Sequence, residues 1–189
     1  MAYKVATQPV LKPFTTAYLK TWLKIPSSVT AEDTLLDDMI QSAMVWAEQL
    51  TNKALLTQTI EEYYDSPPHG SILKLSLSPV QSVTSVSFYY NGSYTAWDAS
   101  NYTTDLVSEP CRIVKKNSIS WPSYDLSTPN VIKVVYVAGS TAATGIPKTI
   151  MQAMLQKLAY MYENREDIPG GANNRQRSAD ALAMFNRTL

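Results

Sequence analysis

The side chains that most often perform catalysis are scarce in this chain and lie far apart. His69 is its only histidine and Cys111 its only cysteine among 189 residues. A serine-type triad needs a histidine that is buried and oriented by a third group, whereas His69 lies in a Pro-Pro-His-Gly stretch typical of an exposed turn. One histidine and one distant cysteine do not supply the ligands of a zinc site. We therefore predict no enzymatic activity, no bound metal and no other cofactor.

Two pairs of adjacent acids are the next candidates for acid–base chemistry. Asp37 and Asp38 fall in a predicted helix, where neighbouring side chains diverge by about 100°. Glu61 and Glu62 fall in a predicted strand, where neighbours face opposite sides. Neither pair converges on one bond, so solvated faces are the favoured interpretation. A phosphate-binding or dinucleotide fingerprint is also missing, because Gly170-Gly171 follows a predicted helix instead of a strand.

The composition excludes several classes of protein. The chain has 16 basic and 16 acidic residues and a formal net charge of +0, and it has no basic stripe of the kind that binds nucleic acid. No apolar run approaches the roughly 20 residues of a membrane span. The N-terminal residues lack the apolar segment of a signal peptide, and a lone cysteine cannot form an intrachain disulfide. We expect a protein made in a cytoplasm, with no membrane partner.

Charge is distributed unevenly along the chain. Residues 1–31 contain four lysines and no acid, whereas residues 32–65 contain eight acids and one lysine. A cyclic assembly joins two different faces of the subunit, and these two segments could supply such a pair. The candidate residues at a contact between subunits are Lys12, Lys20, Lys24, Asp33, Asp37 and Asp38.

Helical periodicity marks the elements that would position these residues. A short helix near Thr16–Ile25 carries Tyr18, Leu19, Trp22 and Leu23 on one side. A longer helix over 32–50 has an apolar stripe of four turns, and Trp46 lies off that stripe, which predicts a contact with another element or subunit. A third helix begins at Pro147, and Pro is favourable in a first turn.

Two-residue periodicity indicates strands in the middle of the chain. Strands are predicted over residues 57–64, 72–77, 101–104, 112–114 and 131–137. Residues 82–97 are predicted to form a hairpin around Asn91-Gly92, which would pair Tyr89 with Tyr94. Ordinary sheet packing explains its tyrosines better than a platform for stacking sugars or bases.

Four segments, taken in order, resemble the head–tail connector family of tailed bacteriophages, whose members are also called adaptor or head-completion proteins. The segments are DTLLDDMIQSAMVWAEQLTNKAL, LSLSPVQSVTSVSFYYNG, CRIVKKNSISWPSYD and VIKVVYVAGSTAATGIPKTIMQAMLQKLAYMYENRED. The most specific feature is the Tyr162-Glu163-Asn164-Arg165 ending of the last helix. The resemblance covers roughly residues 16–167.

The resemblance implies both a fold and a role. The fold class expected is α+β, mostly a helical bundle of about four helices with a small antiparallel sheet or hairpin insertion. The role expected is a structural protein of the virion neck: a ring of twelve copies beneath the portal protein. Such a ring extends the DNA channel, encloses double-stranded DNA without reading its sequence, and joins the capsid to a tail protein or the next connector. The alternative is a polysaccharide-binding or hydrolytic module of a virion.

The resemblance and composition together predict three regions. Residues 1–15 form an extended arm, residues 16–167 the connector domain, and residues 168–189 a linker and docking tail. The tail is basic and carries an apolar set too small to fold alone, so we expect it to dock on the portal. The residues expected to dock are Arg175, Arg177, Leu182, Met184, Phe185 and Arg187.

Overall fold

The computed structural model describes residues 2–164, which form three α-helices and eight β-strands. The helices are α1 (Thr16–Leu23), α2 (Asp33–Thr51) and α3 (Lys148–Glu163). The strands are β1 (Ala2–Thr7), β2 (Gln58–Tyr64), β3 (Ile72–Lys74), β4 (Val80–Tyr90), β5 (Ser93–Ala96), β6 (Tyr102–Asp105), β7 (Arg112–Lys115) and β8 (Ile132–Ala138). These elements belong to two compact units, one built of strands and one of helices.

The sheet unit comprises residues 2–9 and Thr57–Ser140. Its larger sheet has the order β1-β2-β8-β4-β5, and its smaller sheet has the order β3-β7-β6. All neighbouring strands are antiparallel. The central strand β8 buries alternate residues, Ile132, Val134, Tyr136 and Ala138, as expected for a strand with one face in the core. An aromatic cluster joins the two sheets: the Trp97 ring lies 5.7 Å from the Phe88 ring of β4 and 5.3 Å from the Tyr102 ring of β6.

The hairpin prediction is confirmed. Asn91 and Gly92 have φ angles of 50° and 85°, the left-handed values that a tight two-residue turn requires. Tyr89 pairs with Tyr94 in the register that such a turn dictates. The turn residues therefore place Phe88 and Trp97 on the same buried face.

The helical unit comprises Val10–Leu56 and, within the described part of the chain, residues 141–164. The predicted stripes of α2 and α3 form its core. The fully or nearly fully buried members are Leu36, Ile40, Ala43, Met44, Ala47, Ile150, Met154, Leu155 and Leu158. Trp46 contacts another element, as its position off the stripe predicts, because the Lys157 ammonium of α3 lies 5.6 Å from its ring centre.

The prediction of a mostly helical bundle of about four helices is wrong. Residues 2–164 contain three helices and two antiparallel sheets, and about as many of their residues lie in strands as in helices. Each segment predicted to be a strand contains one, although β3 ends at Lys74, short of the predicted residue 77. β8 inserts between β2 and β4 and builds a five-stranded sheet. Residues 2–7, part of the predicted arm, add an edge strand. The fourth predicted helix, in the tail, lies outside the described residues.

Candidate functional site

Lys12 and Asp37, two residues predicted to contact a neighbouring subunit, contact each other within one chain. The Lys12 ammonium lies 2.9 Å from an Asp37 carboxylate oxygen, and the Thr16 hydroxyl donates to the other oxygen at 2.7 Å. The hydrogen bond from Thr16, followed by the contact with Lys12, lowers the pKa of Asp37. Both charged side chains are 38% exposed, so this pair contributes little stability after solvent screening.

Lys20 and Asp33 form a second pair inside the chain. The Lys20 side chain is only 7% exposed, and its ammonium contacts the Asp33 carboxylate at the first residue of α2. A buried ammonium without a carboxylate would be strongly unfavourable. This pair therefore fixes α1 against the N-terminal end of α2.

Lys4, the first lysine of the N-terminal segment, pairs with an acid of the sheet unit. Lys4 on β1 lies opposite Glu61 on β2, and their charged atoms are 3.0 Å apart. The Tyr63 hydroxyl donates to the same carboxylate at 2.6 Å. The bond from Tyr63, followed by that from Lys4, lowers the pKa of Glu61. The pair lies across the β1–β2 ladder, and because its lysine is largely exposed it adds little stability to the strand pairing.

Lys24 and Asp38 are the two candidate contact residues without an ion pair among residues 2–164. Both are exposed. Lys24 ends α1 in a left-handed conformation, with φ of 59°. Asp38 follows Asp37 on α2, where neighbouring side chains diverge by about 100°. The prediction that all six residues contact a neighbouring subunit is untested, and the structure brings four of them together inside one chain.

Asp38 lies at one end of a shallow groove along α2. The groove has a volume of about 530 Å³ and is lined by Asp38, Gln41, Ser42, Val45, Trp46 and Gln49. These positions recur every three or four residues and so share one face of the helix. Val45 is 45% exposed there. Asp38 is the one carboxylate among the described residues that line the groove, whereas glycoside hydrolysis uses a facing pair.

α1 exposes an aromatic face of its own. Tyr18 and Trp22, one helical turn apart, are 51% and 42% exposed. The Tyr18 ring stacks on the buried Phe14 ring at 5.8 Å, which holds it in place. Only Leu19 of the predicted α1 stripe is fully buried. The amphipathic pattern thus located the apolar side of α1, but it could not show that two of its aromatic rings stay at the surface.

Glu62 is a polar centre that sequence reasoning missed. The sequence predicts a solvated side chain at Glu62, yet this residue is fully buried in the sheet unit. Its carboxylate accepts hydrogen bonds from the Tyr136 hydroxyl at 2.8 Å, the Tyr64 hydroxyl at 2.9 Å and both the backbone and side chain of Ser76. Burial, followed by the nearby Glu62 charge, raises the pKa of Tyr64 and of Tyr136. The arrangement ties β2 and β8 to the segment after β3.

The remaining predicted features carry no recognisable site. His69 is exposed and Cys111 is buried in the sheet unit. Within residues 2–164, no group of three or more histidine, cysteine or acidic side chains is arranged to hold a metal ion. No helix in that range is long and apolar enough to cross a membrane. The predicted docking residues Arg175, Arg177, Leu182, Met184, Phe185 and Arg187 lie outside the described residues.

Solved structures with the same fold come from gene transfer agent particles, two of them from the neck of the particle. The chain is similar to one in the neck of an empty gene transfer agent (GTA) particle, computed with C6 symmetry, with a TM-score of 0.79, 21% identity, and coverage of 100% of this chain and 96% of that one. It is similar at the same identity and coverage to chains in the neck of the native GTA particle, computed with C12 symmetry (TM-score 0.78), and in the native GTA virion (TM-score 0.77). No protein-family model and no curated protein matches the sequence. The neighbours confirm, at the level of the fold, the resemblance to proteins of the virion neck.

Proposed function

We propose that this chain is a structural protein of a virion neck, a head–tail connector that assembles as a ring beneath the portal. The observation that carries the proposal is a fold shared over the whole chain with proteins from GTA necks. Two of those necks were computed with sixfold and twelvefold symmetry. A ring of twelve copies of this chain is consistent with both.

The chemistry of the chain supports a passive role. A DNA conduit should not retain its cargo, and each lysine–phosphate contact adds affinity through the release of counterions. The chain's formal net charge of +0 agrees with a channel wall that double-stranded DNA passes without sequence-specific binding. Pairing of Lys4, Lys12 and Lys20 with carboxylates further reduces the positive charge available to phosphates.

The partners of such a ring would be the portal above it and a tail protein or further connector below it. We propose that residues 168–189 dock on the portal, with Phe185 as the central apolar anchor and Arg175, Arg177 and Arg187 as the basic contacts. This part of the proposal rests on composition. A short segment that is basic and partly apolar gains order by adding itself to a partner's groove.

The test is to remove the chain from the virus that encodes it and to image the particles by electron microscopy. The proposal expects DNA-filled heads without attached tails, and joined particles again when the chain is restored. A symmetry-averaged reconstruction of the restored particle should contain the fold as a ring at the neck. Normally joined particles without the chain, or the chain found only at the distal tail, would overturn the proposal.

A further inference from the structure

The turn between β4 and β5 contains the one Asn-Gly pair of the sequence, Asn91-Gly92. In such a pair the side-chain carboxamide reacts readily with the next backbone nitrogen, because glycine has no Cβ to obstruct the approach. Both residues are exposed to solvent. The pair that shapes the hairpin is therefore also a candidate site of covalent modification.

The two groups that would react are not engaged elsewhere. Among residues 2–164, neither the Asn91 carboxamide nor the Gly92 nitrogen takes part in a hydrogen bond. A Cβ placed on Gly92 would meet nothing within 4 Å. The surroundings of the turn therefore leave room for a ring to close and for water to reach it.

The closed turn opposes the reaction. Its φ angles of 50° and 85° belong to the mirror image of a type I turn, whose first central residue has ψ of about +30°. At that angle the Gly92 nitrogen points away from the Asn91 side chain. The Cα–C bond of Asn91 must rotate before the two groups meet, so the reaction requires a locally opened turn.

Little holds this end of the hairpin closed. The closing pair, Tyr90 and Ser93, is exposed, and no side chain of β5 is buried. The first ring contact behind the turn is that of Tyr89 with Tyr94, whose centres are 5.1 Å apart. Segments with few buried contacts open locally while the rest of the protein stays folded. Such openings allow the rotation that Asn91 needs.

We propose that Asn91 deamidates in the folded protein through a succinimide formed with Gly92. The Gly92 nitrogen attacks Cγ of Asn91 and gives up its proton, the Cγ–Nδ2 bond breaks, and ammonia leaves. Water then opens the ring at either carbonyl carbon. Attack at Cγ gives aspartate, whereas attack at the backbone carbonyl carbon gives isoaspartate. The net reaction consumes one water and releases one ammonia, with no oxidation or reduction.

The two products differ in their effect on the hairpin. Isoaspartate carries the main chain through Cβ and Cγ, which adds one carbon to a two-residue turn of defined geometry. Aspartate leaves the main chain unchanged, and Asp-Gly is itself a favoured pair in this turn. Isoaspartate should therefore loosen the pairing of Tyr89 with Tyr94, and aspartate should not. The inference is independent of the proposed function, because it concerns the subunit alone.

Mass spectrometry of protease fragments tests the reaction. The folded chain is kept at mildly alkaline pH in water labelled with a heavy oxygen isotope. The expected result is conversion of Asn91 to aspartate and isoaspartate, with uptake of the label. Asn130 is the internal control, since it is exposed and has φ of 60° but precedes Val131, whose branched side chain obstructs ring closure. Asn130 should remain unmodified over the same period.

Two variants separate the effects of charge and of main-chain length. Asn91→Gly has no carboxamide and keeps a Gly-Gly pair suited to the turn, so it should take up no label there. Asn91→Asp, freshly purified, adds the charge alone and should keep the Tyr89–Tyr94 contacts in NMR spectra. The aged native chain should lose those contacts in proportion to its isoaspartate content.

Three outcomes would overturn the proposal. The first is conversion of Asn91 no faster than that of Asn130 in the folded chain. The second is conversion seen only after unfolding in urea, which would mean that the turn does not open locally. The third is isoaspartate at position 91 with the Tyr89–Tyr94 contacts intact, which would refute the predicted effect on the hairpin.

Discussion

Glu62 shows how one buried side chain can organise a sheet. A buried carboxylate is unfavourable unless its oxygens accept hydrogen bonds, and here the donors come from Tyr64, Ser76 and Tyr136 on separate segments. The sequence did not reveal this, because Glu61-Glu62 alternates like any half-exposed strand. The donors lie up to 74 positions away along the chain, so only the assembled sheet brings them together.

Glu62→Ala should destabilise the sheet unit by about 3 kcal/mol or more, since it leaves several buried donors unsatisfied. Urea unfolding followed by tyrosine and tryptophan fluorescence measures this. Ser76→Ala, which removes one donor and keeps the carboxylate, should cost about 1 kcal/mol. An equal and small effect of both variants would mean that Glu62 is hydrated in solution.

Glu61 provides a pH-dependent contribution to stability. Its pKa is lowered by the Tyr63 hydroxyl and then by Lys4, so its charged form is favoured in the folded state. The contribution is fully present above the ordinary glutamate pKa, about 4.3, and is lost as the pH falls through the folded-state pKa.

Tyr63→Phe should therefore raise the pKa of Glu61 towards its usual value and reduce the acid resistance of the fold. Carboxylate chemical shifts measured by NMR during a pH titration report the change directly. Tyr90→Phe is the control, because Tyr90 is exposed near the hairpin turn. If Tyr63→Phe leaves the pKa of Glu61 unchanged, the hydrogen bond from Tyr63 is not what lowers that pKa.

Most of the helices and strands could be predicted from the sequence. The elements that each of them pairs with or packs against could not. Periodicity located α2, α3 and the hairpin, because each depends on local spacing. It gave no information on the insertion of β8 between β2 and β4, which joins segments far apart in the chain. It also missed β1, whose sequence AYKVAT has no buried residue and is held at the sheet edge by pairing with β2. For the same reason, the sequence did not indicate that Lys12 and Lys20 pair with acids of α2. Those ion pairs, with Asp37 and Asp33, form only because α1 and the residues before it pack against α2.

The hairpin turn gives a prediction at the level of the element. Gly92→Ala should destabilise the protein by about 1 kcal/mol, because φ of +85° is strained for any residue with a Cβ. The added methyl would meet nothing within 4 Å, so the effect is conformational and not steric.

Gly70→Ala is the matched control for the turn. A Cβ at Gly70 also meets nothing within 4 Å, and the backbone there is not in the left-handed region. Thermal unfolding should show little change or a slight stabilisation, since alanine has less freedom than glycine in the unfolded chain. Equal changes in stability for Gly92→Ala and Gly70→Ala would contradict the explanation that the strained φ of Gly92 causes the loss.

At the scale of the whole molecule, we propose that residues 2–164 fold by themselves and that residues 168–189 attach the chain to the portal. Residues 2–164 supply a set of buried apolar side chains in each unit. Deletion of residues 172–189 should therefore leave a folded subunit that no longer joins portal-containing heads. Circular dichroism and co-sedimentation with purified heads measure the two properties separately, and normal joining by the truncated chain would rule out the docking tail.

A structural role also predicts the effect of changing the lone histidine. His69→Ala should leave the infectivity of the particle unchanged, because the proposed structural role needs no catalytic histidine. Plaque counts relative to the native chain provide the measurement. A large loss of infectivity with a normally folded subunit would be evidence for a chemical function that the structural role does not include.

The interleaving of the two units has a consequence for how the protein is made. The apolar stripe of α2 is complete once residue 51 has been synthesised, but its partner α3 begins only at Lys148. At about 5–20 residues per second, the ribosome needs on the order of 5–20 seconds to bridge that interval. The central strand β8 is also made only near the end of this interval, so for most of it both the large sheet and the cover of α2 are incomplete. A nascent chain stalled in this window would present an open apolar surface, so chaperone capture should be strongest there, and ribosome profiling of chaperone-bound chains would detect it.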